Sequence, residues 1–247
     1  MSTSFFRKTL VTVTSIALLA ASTACSTPKG EATEYDPWES FNRPMYQLNY
    51  VVDGVVLKPI TQVYRGVVPE YGREHVHNFV ENLASPITFA NSILQGDPEN
   101  TFVTLWRFMF NSTIGIGGLF DVASELGLKN RKTDFGQTLA LYGVENGPYL
   151  FLPIMGPSGV RDGVGRIADY FTHPASYVDS ETTAISLWAI TAVDARSENY
   201  DLIENVYKSS LDPYATFRSG YIQKRDSDIK KARASRDKVW QKMKTQK

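Results

Sequence analysis

Three stretches of this chain are apolar and uncharged, and each stops before it is long enough to cross a bilayer. Phe108 to Phe120, Asn146 to Val160 and Thr182 to Val193 carry no charged side chain, yet Arg107, Asp121, Glu145, Arg161, Glu181 and Asp194 stand directly at their ends. A spanning helix needs about 20 mostly apolar residues. Segments of this size serve either as core helices or as helices lying within one leaflet, and periodicity does not choose between the two. Both uses demand a fold built from several short helices.

The first residues have a different character. Arg7 and Lys8 precede an apolar run from Leu10 to Ala21, then small residues; the segment Leu19-Ala-Ala-Ser-Thr-Ala24 leads directly to the only cysteine, Cys25. This order of parts reads as a secretory signal over residues 1–24, too short to span. A cysteine directly after small residues is where bacterial lipoproteins are cut and acylated, so the mature chain is expected to begin with a lipidated Cys25 and to be membrane-anchored. Ser22 stands where an aliphatic residue is usual, and the competing reading is ordinary cleavage that leaves Cys25 a free thiol. Ser26 in place of an aspartate resembles sorting to the outer membrane of a Gram-negative bacterium, facing the periplasm. Residues 25–35, small and polar, read as a tether.

Without the leader the chain carries a net charge of about −2, which gives no reason to propose nucleic acid as a partner. A single cysteine allows no intrachain disulfide, even in an oxidising compartment. Stability must come from burial or from a membrane and partners.

Asp36-Pro-Trp-Glu39 has the form of a helix start, with aspartate as cap, proline at the first helical position and glutamate to follow. The Asp-Pro pair returns at Asp97-Pro98 and Asp212-Pro213, which predicts three such starts. Trp38, Phe41, Met45, Leu48, Val52 and Val55 trace one helical face, and Pro44 is expected to kink or split it. Val76, Phe79, Val80 and Leu83 predict a second helix ending before Ser85-Pro86, and Ile87 to Gln95 a third closed by Gly96.

The segment from Thr101 to Phe110 is apolar nearly all round, so it is buried or faces lipid. Asn111 to Gly118 follows, rich in glycines that let another backbone or a ligand approach. Gly147 to Pro157 has too much proline and glycine for a helix and predicts an extended loop or short hairpin. Asp162 to Tyr170 and Thr182 to Arg196 read as further helices. Lys224 to Lys247 holds ten basic and three acidic residues, and is expected to be a mobile basic helix or disordered tail outside the core. The expected fold is mainly α: one domain over residues 36–220 with a basic tail over 221–247.

Catalytic chemistry is thinly represented. His75, His77 and His173 form no HExxH arrangement, and the spacing of His75 and His77 puts them on different faces of a helix, a poor start for a metal site. Gly156-Pro-Ser-Gly-Val160 has its second glycine one residue early for a nucleophile elbow. Gly115 to Gly118 lacks the third glycine of a dinucleotide fingerprint. Asp36 and Glu39 are explained by helix capping. No catalytic residue, metal or cofactor is expected.

Taken together, the motifs resemble the MlaA (VacJ) family of outer-membrane lipoproteins. The likeness rests on Asp36-Pro-Trp-Glu39, Phe41-Asn-Arg43, Tyr46, Asn78-Phe79, Asn82-Leu83, Pro86, Asn91 and Leu94-Gln-Gly96. It continues through Arg107-Phe108, Asn111, Thr113, Gly115, Gly117-Gly118, Asp121, Phe135-Gly-Gln-Thr-Leu139, Gly143, Gly147-Pro-Tyr149, Leu152-Pro153, Gly156-Pro157 and Arg161-Asp162, and covers roughly Asp36 to Tyr214. Each piece is weak alone; their number and order make the likeness specific.

The resemblance implies a helical disc of short apolar and amphipathic helices within the inner leaflet of the outer membrane. It also implies an amphipathic channel that takes misplaced phospholipids to a soluble periplasmic lipid carrier, with an outer-membrane porin trimer as scaffold. For such a channel Asn111, Ser112, Thr113, Gly115, Gly117 and Gly118 are the candidate wall, the alternative being a glycine-mediated helix crossing. Gly147, Pro148 and Tyr149 are candidates for a gating loop, and Phe41 and Asn42 for a packing element that decides where the channel opens. Arg161 and Asp162 form either a structural ion pair or a headgroup contact. Two rival functions are an adaptor lipoprotein that binds porin without moving lipid, and a phospholipase using Ser158 or His173.

Overall fold

Helices start at Pro98 and Pro213, as the Asp97-Pro98 and Asp212-Pro213 pairs predict, whereas the first begins at Glu39, two residues later than Asp36-Pro37 implies, with Trp38 at the cap position. The computed structural model describes residues 36–129 and 131–245; the leader, Cys25 and the tether lie outside the described residues. Asp97 accepts from the amide of Asn100 and Asp212 from that of Ala215, each satisfying a donor the first helical turn leaves free. Asp36 accepts from the amide of Trp38 at 3.0 Å. Glu39 departs from its expected capping role and pairs with Arg43 at 2.5 Å.

The first helix, α1 (Glu39–Val52), runs into a π-helical turn (Asp53–Leu57) and α2 (Lys58–Val67). The long α3 (Glu70–Leu94) packs along α4 (Pro98–Thr113), which is followed by the short α5 (Val122–Glu125) and by α6 (Phe135–Leu141). A hairpin of β1 (Tyr149–Leu152) and β2 (Gly156–Gly159) pairs Tyr149 with Gly159 and Leu152 with Gly156. Then come α7 (Val160–Tyr170), a 3-10 turn (Pro174–Tyr177), α8 (Glu181–Glu198), α9 (Tyr200–Ser209) and α10 (Pro213–Thr245). The structure is mainly α, as expected, and the Gly147 to Pro157 segment takes the hairpin form.

Burial is inverted relative to a water-soluble domain. Among the described residues, buried polar side chains outnumber buried apolar ones. Asn42, Thr61, Ser92, Thr104 and Ser158 are wholly enclosed, while Val55, Val63, Val67, Phe102, Ile185 and many other large apolar side chains are exposed. No helix among the described residues is long and apolar enough to cross a membrane. The small apolar centre comprises Tyr149, Phe151 and Tyr214, with Met45, Tyr46 and Tyr221 against it.

Polar ties between distant segments supply what the small core does not. Arg196 reaches Asp53 in the π-helical turn at 2.7 Å and Glu204 of α9 at 2.9 Å, and Lys58 also reaches Glu204, at 2.8 Å. Buried charges persist only when paired in this way.

Three further expectations are corrected. Pro44 does not split α1, which continues through it; the helix loses one bond to the Ser40 carbonyl but is held from outside by Arg43 on Asp212 and by Asn49 on the Leu152 carbonyl. Pro86 does not end a helix either. The two expected helices around it are the single α3, whose Asn82 is bound to Ser112 in the last turn of α4 and to Gly117 just beyond it. Residues 221–245 are no appendage: they continue α10, with Ala232 and Val239 buried. Arg225 bonds Asp134 and Asp162, Ser235 bonds Asp97, and Arg236 bonds the Leu141 carbonyl. The basic composition of this segment hid the few side chains that anchor it.

Candidate functional site

Side chains four residues apart share one face of a helix, and α3 uses that spacing twice with polar residues: His77, Glu81 and Ser85, then Asn78 and Asn82. On α4, Arg107 and Asn111 have the same spacing. The two faces, with Asp121 and Lys132, enclose a polar cavity of about 180 Å³. It carries charges of both signs, Arg107 and Lys132 against Glu81 and Asp121.

The floor of the cavity is firmly tied. Arg107 grips both oxygens of Asp121 at 3.1 and 3.0 Å, and Asn111 donates to Asp121 at 2.9 Å while accepting from the amide of Ala123 at 2.9 Å. Burial, the largest influence on the Asp121 carboxyl, pushes it up; hydrogen bonds from Ser124, Asn111 and Arg107 outweigh burial and hold it below the usual range. Asn82 donates to Ser112 Oγ at 2.9 Å and to the Gly117 carbonyl at 3.2 Å, while its own Oδ1 is buried without a partner. An unpaired acceptor beside a polar cavity is a ready contact for a donor on a ligand or water.

The candidate wall residues divide. Asn111 lines the cavity and Ser112 adjoins it through Asn82. Thr113 is exposed and bonds back to the Met109 carbonyl. Gly118 has φ +99°, and a Cβ there would lie 2.4 Å from the Cβ of Asn82; one on Gly115 would lie 2.3 Å from the Phe120 carbonyl oxygen. Gly117, at φ +72°, faces open space. Ile116 beside it holds φ +52°, which is strained for a β-branched residue. Gly115 and Gly118 thus allow close approach of backbone and side chain, and Asn111 faces the cavity.

The gating candidates meet at the hairpin. Asn42 is wholly buried and donates to the Tyr149 carbonyl at 3.0 Å while accepting from the Phe151 amide at 2.8 Å. Phe41, next to it, is about half exposed. Gly147 takes φ +68° with Val160 against it, and the Pro148 carbonyl accepts from the Val160 amide. Burial raises the Tyr149 phenol well above its ordinary value, and its hydroxyl has no hydrogen-bond partner.

Arg161 and Asp162 form a buried ion pair at 2.9 Å. Asp162 also receives Arg225 at 2.8 Å and the Tyr221 hydroxyl, so its oxygens are spent on protein partners. Burial pushes both Asp162 and Asp134 up, but bonds led by those from Arg225 bring the net shift of each below the usual carboxylate range. Ser158 is buried and donates to the Gly159 carbonyl, while His173 accepts from the Ala175 amide. Burial lowers the His173 imidazole.

The candidate residues omitted most of the cavity. His77, Glu81, Ser85 and Lys132 were not among them; the four-residue spacing of polar side chains along α3 was a visible signal, but a diluted one, since the same helix carries other polar residues such as Glu74, Thr88 and Asn91.

Comparison with known proteins bears on the family and the fold. The model of a family described as MlaA lipoprotein matches residues 34–228. The "Intermembrane phospholipid transport system lipoprotein MlaA" of Escherichia coli K12 is 36% identical over 195 residues, which is 77% of each chain. The Haemophilus influenzae protein of the same description is 34% identical over 224 residues, 87% of this chain and 89% of its own. An uncharacterised Rickettsia bellii protein is 40% identical over 79% of this chain and 77% of its own. A solved structure from work on the "Structural basis for maintenance of bacterial outer membrane lipid asymmetry" superposes with a TM-score of 0.69 at 34% identity, covering 79% of this chain and all of its own.

Proposed function

Since this chain belongs to the MlaA lipoprotein family, we propose that it draws misplaced phospholipids out of the outer leaflet of the outer membrane and releases them toward the periplasm. It is a lipoprotein of intermembrane phospholipid transport that maintains outer-membrane lipid asymmetry. In this reading Cys25 carries the lipid anchor and the helices lie within the inner leaflet. A porin trimer is the scaffold and a soluble periplasmic carrier the acceptor. The protein performs no chemical step.

The observation that carries the reading is the inverted burial. Exposed apolar side chains on non-spanning helices suit a protein solvated by acyl chains on its outside. The enclosed polar residues include the cavity between α3 and α4, whose mixed charges suit a zwitterionic headgroup in transit without a deep trap for either sign. Asn111 forms part of one wall, with Ser112 adjoining it through Asn82 and with Gly115 and Gly118 allowing the close approach of the chain behind it. Asn42, by fixing β1, holds the Gly147 to Tyr149 loop, and Phe41 lies outside where a change of packing would alter the opening. Arg161 and Asp162 act as a structural pair.

The test is native mass spectrometry, with lipid extraction, of the mature chain carrying Cys25→Ser and purified gently. Defined phospholipids are expected in stoichiometric amount, and Asn78→Trp, which fills the cavity from a half-buried position, is expected to reduce them several-fold. Lipid-free protein that still captures porin would replace this reading with the adaptor function.

A further inference from the structure

We propose that His77, Asp194 and Glu198 form a binding site for one divalent transition-metal ion, with Zn²⁺ the best chemical match. One ligand atom from each of the three lies within 4.8 Å of the other two. His77 comes from α3, whereas Asp194 and Glu198 are four apart on α8 and so share the face turned to it. His77 Nδ1 and Asp194 Oδ2 already stand 2.9 Å apart. A hydrogen bond of that length occupies the place where a metal would be held by both atoms, so binding exchanges a shared proton for the ion.

The surroundings are those of a metal ligand. The other imidazole nitrogen, Nε2, faces the Glu81 carboxylate at 3.9 Å, and Glu81 is fixed by Lys132 at 2.5 Å. At that separation Glu81 makes no hydrogen bond to the ring and acts through its charge, which adds to the negative potential that favours a cation at the site. Asp194 is buried, His77 partly buried and Glu198 exposed, so the site is anchored on one side and open to solvent on the other. That leaves an entry path and a fourth position for water. One imidazole and two carboxylates favour Zn²⁺ over Mg²⁺ or Ca²⁺, which prefer oxygen alone.

The consequence is mechanical. His77 and Asp194 are 117 residues apart in sequence, and a clip closing so long a loop restrains the unfolded chain. It would also brace the edge of the polar cavity, which His77 lines. The inference is independent of lipid transport, since it rests on three side chains and the ion.

The experiment uses the mature chain with Cys25→Ser, which removes its only thiol, stripped with chelator and titrated with ZnCl₂ by calorimetry. A melting curve is recorded at each step. One Zn²⁺ per chain and a rise in melting temperature are expected. Glu198→Gln, at an exposed position where folding should be kept, removes a ligand and is expected to weaken binding at least about tenfold, and Glu81→Gln, which removes only a nearby charge, by less. Absence of stoichiometric Zn²⁺ binding would overturn the site, as would binding unchanged in both Glu198→Gln and His77→Gln.

Discussion

The Asn42 side chain holds Tyr149 much as a neighbouring strand would, donating from Nδ2 to the Tyr149 carbonyl at 3.0 Å. Its Oδ1 completes the likeness by accepting from the Phe151 amide at 2.8 Å, and Asp36 receives the remaining Nδ2 donor at 3.1 Å. A side-chain amide thus extends the two-stranded sheet by one pairing unit, within the aromatic cluster of Tyr46, Phe151 and Tyr214.

Asn42→Ala should therefore leave both backbone groups of β1 buried and unpaired. At about 1–3 kcal/mol for each orphaned group, the loss should be about 2–6 kcal/mol in all. Chemical denaturation measures the total. Hydrogen exchange at the Phe151 amide should speed up, whereas exchange within α4 should not; unchanged protection at Phe151 would contradict the pairing.

Arg225 joins α10 to two other elements, meeting both oxygens of Asp134 at 2.7 Å and Asp162 at 2.8 Å. Arg225→Met removes the cation and leaves two carboxylates in low-dielectric surroundings, at a cost of about 3 kcal/mol. Truncation after Gly220 should be at least as harmful. A truncated chain that melts with the full-length protein would mean that α10 does not brace the fold.

Gly117 and Gly118 both have positive φ, yet their surroundings differ. Gly118→Ala would drive its methyl into Asn82 and disturb the hydrogen bonds to Ser112 and Gly117, whereas Gly117→Ala meets no neighbour and bears only backbone strain. Melting temperatures should fall clearly further for Gly118→Ala.

Asp169 sets a pH dependence. Burial pushes its carboxyl up to about 6 against the opposing hydrogen bonds from the Phe135 amide and Asn91, with the Asp134 charge adding to the rise. A carboxyl raised in the folded state binds its proton more tightly there than in the unfolded chain. Its contribution is complete below about pH 4 and is lost as pH rises through 6. Because the side chain is partly exposed, the change is about 1–2 kcal/mol after screening. Asp169→Asn should flatten the fall in melting temperature between pH 4.5 and 6.5. The lowered carboxyls of Asp121, Asp134 and Asp162 act in the opposite sense, losing their contribution as pH falls below the ordinary carboxylate range.

What the sequence determined by itself was local. Asp97-Pro98 and Asp212-Pro213 start helices because a carboxylate reaches an amide three residues on, and Gly96 ends one because its φ of +67° suits glycine. The Gly147 to Pro157 hairpin and the short apolar helices were legible for the same reason. Asn111 was legible as a site residue because it stands beside a glycine run. Tertiary structure decided the rest. Pro86 sits inside one helix because packing on α4 outweighs a single missing hydrogen bond. The basic segment after Gly220 belongs to the fold because Arg225 finds Asp134, 91 residues away. The cavity exists because the polar faces of α3 and α4 are turned toward each other. Caps and turns depend on neighbours within one helical turn, and composition foreshadows them. Pairings over tens of residues depend on how the helices are arranged, which no local pattern encodes.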